Sequence, residues 1–213
     1  MLGPLLPIIS LSLYVSGVAL LISGAAGIPL GALLALRAFP GRRLVELLIY
    51  TGMGLPPVVV GLAVYVLLSR SGVLGGLGWL FTPAGMIVAQ VIIALPLIIG
   101  LTAAAVEAVD PALRLQVRAL GAAPAQVVRA VLTEARAGVL AALVAGFGSV
   151  ISEVGAVMLV GGNIEGETRV LTTAIVLETR KGNFALALAL GGVLLALATA
   201  ANFLLLRLGG RKA

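Results

Sequence analysis

Histidine and cysteine are both absent from this chain. Without them there are no disulfides, no thiolate chemistry and none of the usual ligand sets for zinc, iron or copper. The commonest general base is missing too, and with it every Ser-His or Cys-His nucleophilic pair. Charge is scarce. Charged residues make up 10% of the 213 positions, against about a quarter in a soluble domain. So few charges cannot clothe a water-facing surface of this size, and with 61% of the residues hydrophobic, lipid must cover much of it. Lysine occurs only as Lys181 and Lys212. Neither stands in the Gly-x-x-x-x-Gly-Lys-Ser/Thr pattern that lets backbone N–H groups cradle phosphate, so no nucleotide site and no cofactor are expected in this chain.

Five apolar runs reach the roughly 20 residues needed to cross a bilayer. They lie at about Ile8 to Leu36, Val45 to Leu68, Pro83 to Ala105, Gly138 to Val160 and Phe184 to Leu206. Each is predicted to be helical, because lipid offers no partners to backbone N–H and C=O groups. The first run lacks a basic leader and is long enough to span, so it reads as a membrane helix rather than a removable signal. Glycines in the first run (Gly17, Gly24, Gly27, Gly31) and the fourth (Gly138, Gly146, Gly148, Gly155) suit close helix packing. Pro29, Pro56, Pro57 and Pro96 are expected to interrupt helices. Trp79, after the glycine-rich second connection, suits either an interfacial aromatic belt or simple packing.

The formal charge is +6. On a soluble protein that surplus points to nucleic acid. Here the arginines lie between apolar runs, so they mark a membrane side and no nucleic-acid partner is expected. Ten of the basic residues fall on alternate connections: Arg37, Arg42, Arg43, then Arg114, Arg118, Arg129, Arg136, then Arg207, Arg211, Lys212. Four fall on the other side: Arg70, Arg169, Arg180 and Lys181. The positive-inside rule puts the C-terminus in the cytoplasm and the N-terminus outside, as an odd number of spans requires.

Two non-spanning stretches stand out. Residues 106–137 are basic and polar, yet patterned as helix. Asp110 as N-cap and Pro111 at the first position open a helix. Leu113, Val117 and Leu120 follow at helical spacing, Gly121 closes the run, and Pro124 opens a second short helix. The result is helix, glycine turn, helix on the cytoplasmic face. It is either a docking element for a partner or an amphipathic connector lying on the interface. Residues 161–183, on the outer side, begin Gly161-Gly162-Asn163 and contain an apolar stretch too short to span, with Thr168 as its candidate N-cap. This is either the mouth of a pathway, lined by irregular backbone, or a packed surface cap. Of the acidic residues, only Glu153 falls well inside a predicted span, as a gate residue or as a structural hydrogen-bonding group. One glutamate without partners makes a poor ion relay, and no internal repeat is visible. Both points count against an ion-coupled carrier, although a channel or carrier working without ATP stays open as the alternative.

The long loop resembles the coupling loop of type-I ABC importer permeases. Asp110-Pro111 and Arg118-x-Leu120-Gly121-Ala122 fit that pattern, while Leu115-Gln116-Val117 stand where the family has Glu-Ala-Ala, and Thr133 follows Leu132 where proline is usual. A second block, Ile151-Ser152-Glu153-Val154-Gly155-Ala156 through Gly161-Gly162-Asn163, then Thr168-Arg169-Val170-Leu171-Thr172-Thr173, looks like permeases for molybdate, tungstate and sulfate. Glu178-Thr179-Arg180-Lys181-Gly182-Asn183 is most similar to the tungstate branch. The resemblance covers nearly the whole chain. It implies an all-α integral membrane fold forming one transmembrane domain over residues 1–213, in a prokaryotic cell membrane. It also implies a homodimer, two cytoplasmic ATPase subunits carrying ATP and magnesium, and an extracytoplasmic binding protein. Coupling would fall to Asp110, Pro111, Leu113, Val117, Leu120 and Gly121. The path or gate would fall to Glu153, Gly155, Asn163, Thr168, Arg169, Thr172 and Thr173. A dianion needs such polar donors, since a bare charge among apolar groups is very costly.

The topology is directly testable, because a chain without cysteine accepts single cysteines at will. A cysteine replacing Gly41 should be shielded from a membrane-impermeant reagent applied to intact cells. Labelling from outside would contradict the assigned orientation.

Overall fold

The computed structural model describes residues 5–209. Arg211, Lys212 and the tail before Leu5 lie outside the described residues. Within them the chain is helical throughout: α1 (Leu5–Leu36), α2 (Arg42–Met53), α3 (Pro57–Leu68), α4 (Pro83–Glu107), α5 (Pro111–Ala119), α6 (Pro124–Glu134), α7 (Arg136–Ile151), α8 (Gly155–Gly161), α9 (Leu171–Arg180) and α10 (Phe184–Gly209). A single 3-10 turn, Gly75–Leu77, interrupts the second connection.

Among the described residues three helices are long and apolar enough to cross a membrane unbroken: α1, α4 and α10. Counting each bent pair as one span raises the total to 5. The expected continuous second span is one such pair, with α2 and α3 meeting at 102°. Each half has 12 residues, about 18 Å of helix, short of the roughly 30 Å hydrocarbon core. The cause is Pro56-Pro57. Two consecutive prolines remove two N–H donors and force the preceding residue out of the α region. Pro29 and Pro96, expected to interrupt their helices, lie inside continuous ones. A single lost donor is tolerated where neighbouring helices enclose it. The fourth span also differs from expectation. α6 meets α7 at 70°, and α7 stops at Ile151, so the apolar run continuing to Val160 is split between α7 and the short α8.

α4 is the central helix, with half of its apolar window buried, whereas the window of α10 is only 11% buried and most of it faces outward. α1 and α7 close on α4 through small residues. A side chain at Gly31 would meet the Ile99 carbonyl at 2.6 Å, and one at Gly146 would meet Ile98 Cδ1 at 2.9 Å. The two broken spans share a seam. A Cβ at Gly61 of α3 would stand 2.5 Å from the Ala156 Cα of α8, and a Cβ at Gly155 would stand 2.6 Å from Val58 Cγ2. By contrast, Gly17 and Gly148 face open space.

The two ends of the bundle are distinct. At one, Arg42 bonds Glu46 at 2.7 Å and Glu107 at 2.5 Å, which ties the first connection to the C-terminus of α4. The α5–α6 unit stands at the same end, its Val131 buried with Val106 and Ala135. At the other end, the Phe81 N–H donates to the Val160 carbonyl at 2.9 Å, and α9 packs beneath α10 and the start of α1. The first and third connections, which the charge pattern assigns to one side, therefore share one end.

The α3–α8 seam makes a prediction. Gly61→Ala should destabilise the purified protein by about 1–3 kcal/mol, the usual cost of overpacking. Gly17→Ala should be neutral or stabilising by up to about 1 kcal/mol. Equal thermal midpoints for the two variants in detergent would contradict the close approach.

Candidate functional site

The α5–α6 unit is built by short-range chemistry. Asp110 Oδ1 accepts the Ala112 N–H at 2.8 Å, and Pro111 follows where no N–H is needed. Gly121 turns the chain with φ +82°, a conformation that side chains resist. Gln126 Oε1 then reaches back to the Ala123 N–H at 2.7 Å to start α6. Arg114 ties the unit to the end of α4 through the Val106 carbonyl, at 3.3 Å. The outward face differs from the expected Leu113, Val117 and Leu120. Leu113 packs against the protein's own Val106–Val131 cluster, and Val117 is half-buried. The apolar residues presented to the outside are Leu120, 87% exposed, and Leu115, 67% exposed. Leu115 escaped the sequence reading because it lies off the i, i+4, i+7 face, of which Leu113 and Val117 turn toward the protein while Leu120, at its end, stays exposed.

At the opposite end, the expected donors are turned into the chain. Thr168 is not the N-cap of α9. Its hydroxyl donates to the Gly161 carbonyl at 2.5 Å and accepts the Ile164 N–H at 2.9 Å, closing a loop whose Gly162 and Asn163 both have positive φ. The start of α9 is held instead by Ser12 of α1, whose hydroxyl accepts the Leu171 N–H at 2.8 Å, and by Thr173, which accepts the Val170 N–H at 3.1 Å. Arg169 pairs with Glu165 at 3.2 Å, an exposed glutamate, and its buried Nε is unpaired. Arg169 also borders an open groove with Ser10 and Tyr14 of α1. In the last turn of α9, Glu178 collects Lys181 Nζ at 2.8 Å and Asn183 Nδ2 at 3.0 Å. These bonds hold its carboxyl below the ordinary value of 4.5 against the opposing effect of burial. The Glu178–Asn183 signature is thus the turn that joins α9 to α10.

Between the ends, the break after α7 exposes three backbone groups, and a side chain meets each. The Val150 carbonyl accepts from Gln90 Nε2 of α4 at 2.9 Å. The Glu153 carbonyl accepts from the Thr172 hydroxyl of α9 at 2.8 Å. The Ala156 N–H, at the start of α8, donates to Glu153 Oε1 at 2.9 Å. Gln90, Glu153 and Thr172 are all buried, and with Ser12 and Ser16 they line one narrow cleft. Thus Glu153 and Thr172 come together, while Asn163, Thr168 and Arg169 belong to the loop between α8 and α9 and Gly155 to the α3–α8 seam. Sequence reading missed Ser12, Ser16 and Gln90. A lone amide inside an otherwise apolar span was the available signal at Gln90.

Residues 27–212 match the family model for the "Binding-protein-dependent transport system inner membrane component". The chain belongs to this family. It is 46% identical over 205 residues to a probable anion ABC transporter permease protein of Haloferax volcanii, covering 94% of this chain and 88% of that one. It is 42% identical over 195 residues to the tungstate uptake system permease protein TupB of Peptoclostridium acidaminophilum, covering 92% and 86%. Its fold is that of the inward-facing MetNI methionine ABC transporter, with TM-score 0.78 at 22% identity over 99% of this chain and 98% of that one. Family membership makes the chain a membrane transport component rather than an enzyme.

For such a permease the α7–α8 break is the feature most exposed to damage. Thr172→Val keeps the shape but strands the Glu153 carbonyl, which should cost about 1–3 kcal/mol. Thr179→Val, at an exposed hydroxyl bonded only within its own helix, should fall within about 0.5 kcal/mol of wild type. Matching thermal midpoints would show that the bond to Glu153 carries no weight.

Proposed function

We propose that this chain is the permease subunit of an ATP-driven importer of tetrahedral oxyanions, tungstate foremost and molybdate next. Two copies form the transmembrane core. Two cytoplasmic ATPase subunits supply ATP hydrolysis, with their magnesium, and an extracytoplasmic protein delivers the anion. The end bearing Arg42, Glu107 and the α5–α6 unit faces the cytoplasm, and the end bearing α9 and the Asn163–Thr173 loop faces outward. The observation that carries this reading is an exposed, capped helix–glycine–helix unit on the basic end of a chain belonging to a binding-protein-dependent transport family. The 42% identity to a tungstate uptake permease supports the cargo.

The mechanism follows from rigidity. α5 is capped at its start by Asp110, turned at its end by Gly121 and pinned to α4 through Arg114. A rod held this way transmits a partner's rigid-body movement to the helices behind it. Arg42 links the same end of α4 to α2, so movement at the loop reaches both the central helix and the broken second span. Alternating access then results from tilting whole helices rather than unfolding them. At the outer mouth, the threonine hydroxyls shape the loop, and Arg169 supplies the positive charge that an arriving dianion meets. Asn163 and the glycine backbone before it border the same mouth.

Leu120 separates this reading from that of an idle surface connector. Leu120→Asp should reduce co-purification of the ATPase about tenfold while leaving the permease folded, because the side chain touches little of its own protein. Leu113→Asp should instead destabilise the permease itself, since Leu113 packs in its core. Undiminished ATPase recovery with Leu120→Asp would overturn the proposed coupling surface.

A further inference from the structure

The cleft at the α7–α8 break has an unusual balance of hydrogen-bonding groups. Ser12 has its proton committed to the Ile8 carbonyl at 2.7 Å, and Thr172 has its own committed to the Glu153 carbonyl at 2.8 Å. The amide of Gln90 is oriented without ambiguity. The Val150 carbonyl can only accept, so the NH2 faces it and Oε1 points the other way. That Oε1 is buried with no partner, in a residue only 3% exposed. Glu153 uses Oε1 on the Ala156 N–H, and among the described residues Oε2 has no hydrogen-bond partner. What faces the cleft is therefore mostly lone pairs. Of its polar side chains, only Ser16 keeps a hydroxyl proton not bonded to another described group.

The charge is as one-sided as the hydrogen bonding. Glu153 is 8% exposed. Among the described residues no lysine or arginine pairs with it; the basic side chains that make ion pairs do so with Glu46, Glu107, Glu165 and Glu178. A buried, uncompensated carboxylate costs several kcal/mol. One backbone N–H offsets part of that.

We infer that this cleft binds one sodium-sized monovalent cation, held by the Glu153 carboxylate, the Gln90 carbonyl oxygen and the hydroxyl oxygens of Ser12, Ser16 and Thr172. The space open to a water centre is about 10 Å³, room for a single water-sized occupant. All the donors are oxygens, which suits a hard cation. A divalent ion is disfavoured because the cleft offers one carboxylate, and among the described residues no three Asp or Glu side chains cluster as a metal site. An oxyanion is excluded from the cleft, because acceptors would face acceptors. The cation therefore travels no path with the cargo. It braces α1, α4, α9 and the α7–α8 break against one another, and this holds whichever anion the permease carries.

The test uses the full-length protein in lipid nanodiscs, heated in sodium chloride, potassium chloride or choline chloride at equal ionic strength. Sodium should raise the thermal midpoint saturably over choline, which is too large for the cleft, and potassium should do so less. Glu153→Gln should abolish the sodium response, Gln90→Met should weaken it at least threefold in half-saturating concentration, and Thr179→Val should retain it. Should Glu153→Gln fail to fold, the wild-type response and Gln90→Met still decide. Equal wild-type midpoints in sodium and choline would mean that a water alone fills the cleft, and would overturn the proposal. A full sodium response in either cleft variant would place the cation elsewhere and overturn it as well.

Discussion

A helix that stops inside a membrane leaves backbone N–H and C=O groups that lipid cannot satisfy. The rest of this structure depends on how that constraint is met at residues 152–154. Gln90 from α4 meets the Val150 carbonyl, Thr172 from α9 meets the Glu153 carbonyl, and Glu153 itself meets the Ala156 N–H. The first two of these bonds tie α4 and α9 to the break, so it serves as a junction. Removing the Thr172 hydroxyl or the Glu153 carboxylate would strand a buried polar group, which costs more than a hydrogen bond contributes when made.

The second break, at Pro56-Pro57, is met differently. Its α3 half carries almost no polar side chains and is held by contact, with Gly61 of α3 against Ala156 of α8. Close backbone approach of this kind is how membrane helices associate when no hydrophobic force drives them together. The two broken spans thus depend on each other: the polar junction sets α8 in place, and α8 then gives α3 its packing surface. Arg42 links the first half of the broken second span to α4, beside the helix–glycine–helix unit. A push at that unit therefore reaches the region of both breaks through packed helices.

Much of this was legible in the chain. Apolar run length located the membrane helices, the alternation of arginines grouped the connections by end, and Asp110, Pro111 and Gly121 marked the α5–α6 unit because caps and turns depend on local chemistry. The breaks were less legible. Hydropathy measures how apolar a segment is and not whether it is straight, so Val45 to Leu68 reads as one span although two prolines fold it by 102°. The roles of the threonines around α9 were hidden for another reason. Thr168 looks like a helix cap in sequence, but its hydroxyl closes a loop whose shape depends on positive φ at Gly162 and Asn163. Ser12 and Gln90 work only through partners at residues 171 and 150, contacts that no local pattern records.

The most direct measurement is oxyanion uptake into sealed proteoliposomes. They would contain this permease alone, or the permease with its ATPase, with binding protein outside and ATP within. Accumulation of tungstate against a gradient should require all the components and cease when ATP is withheld. Equal uptake by the permease alone would contradict the account and identify an ATP-independent channel or carrier.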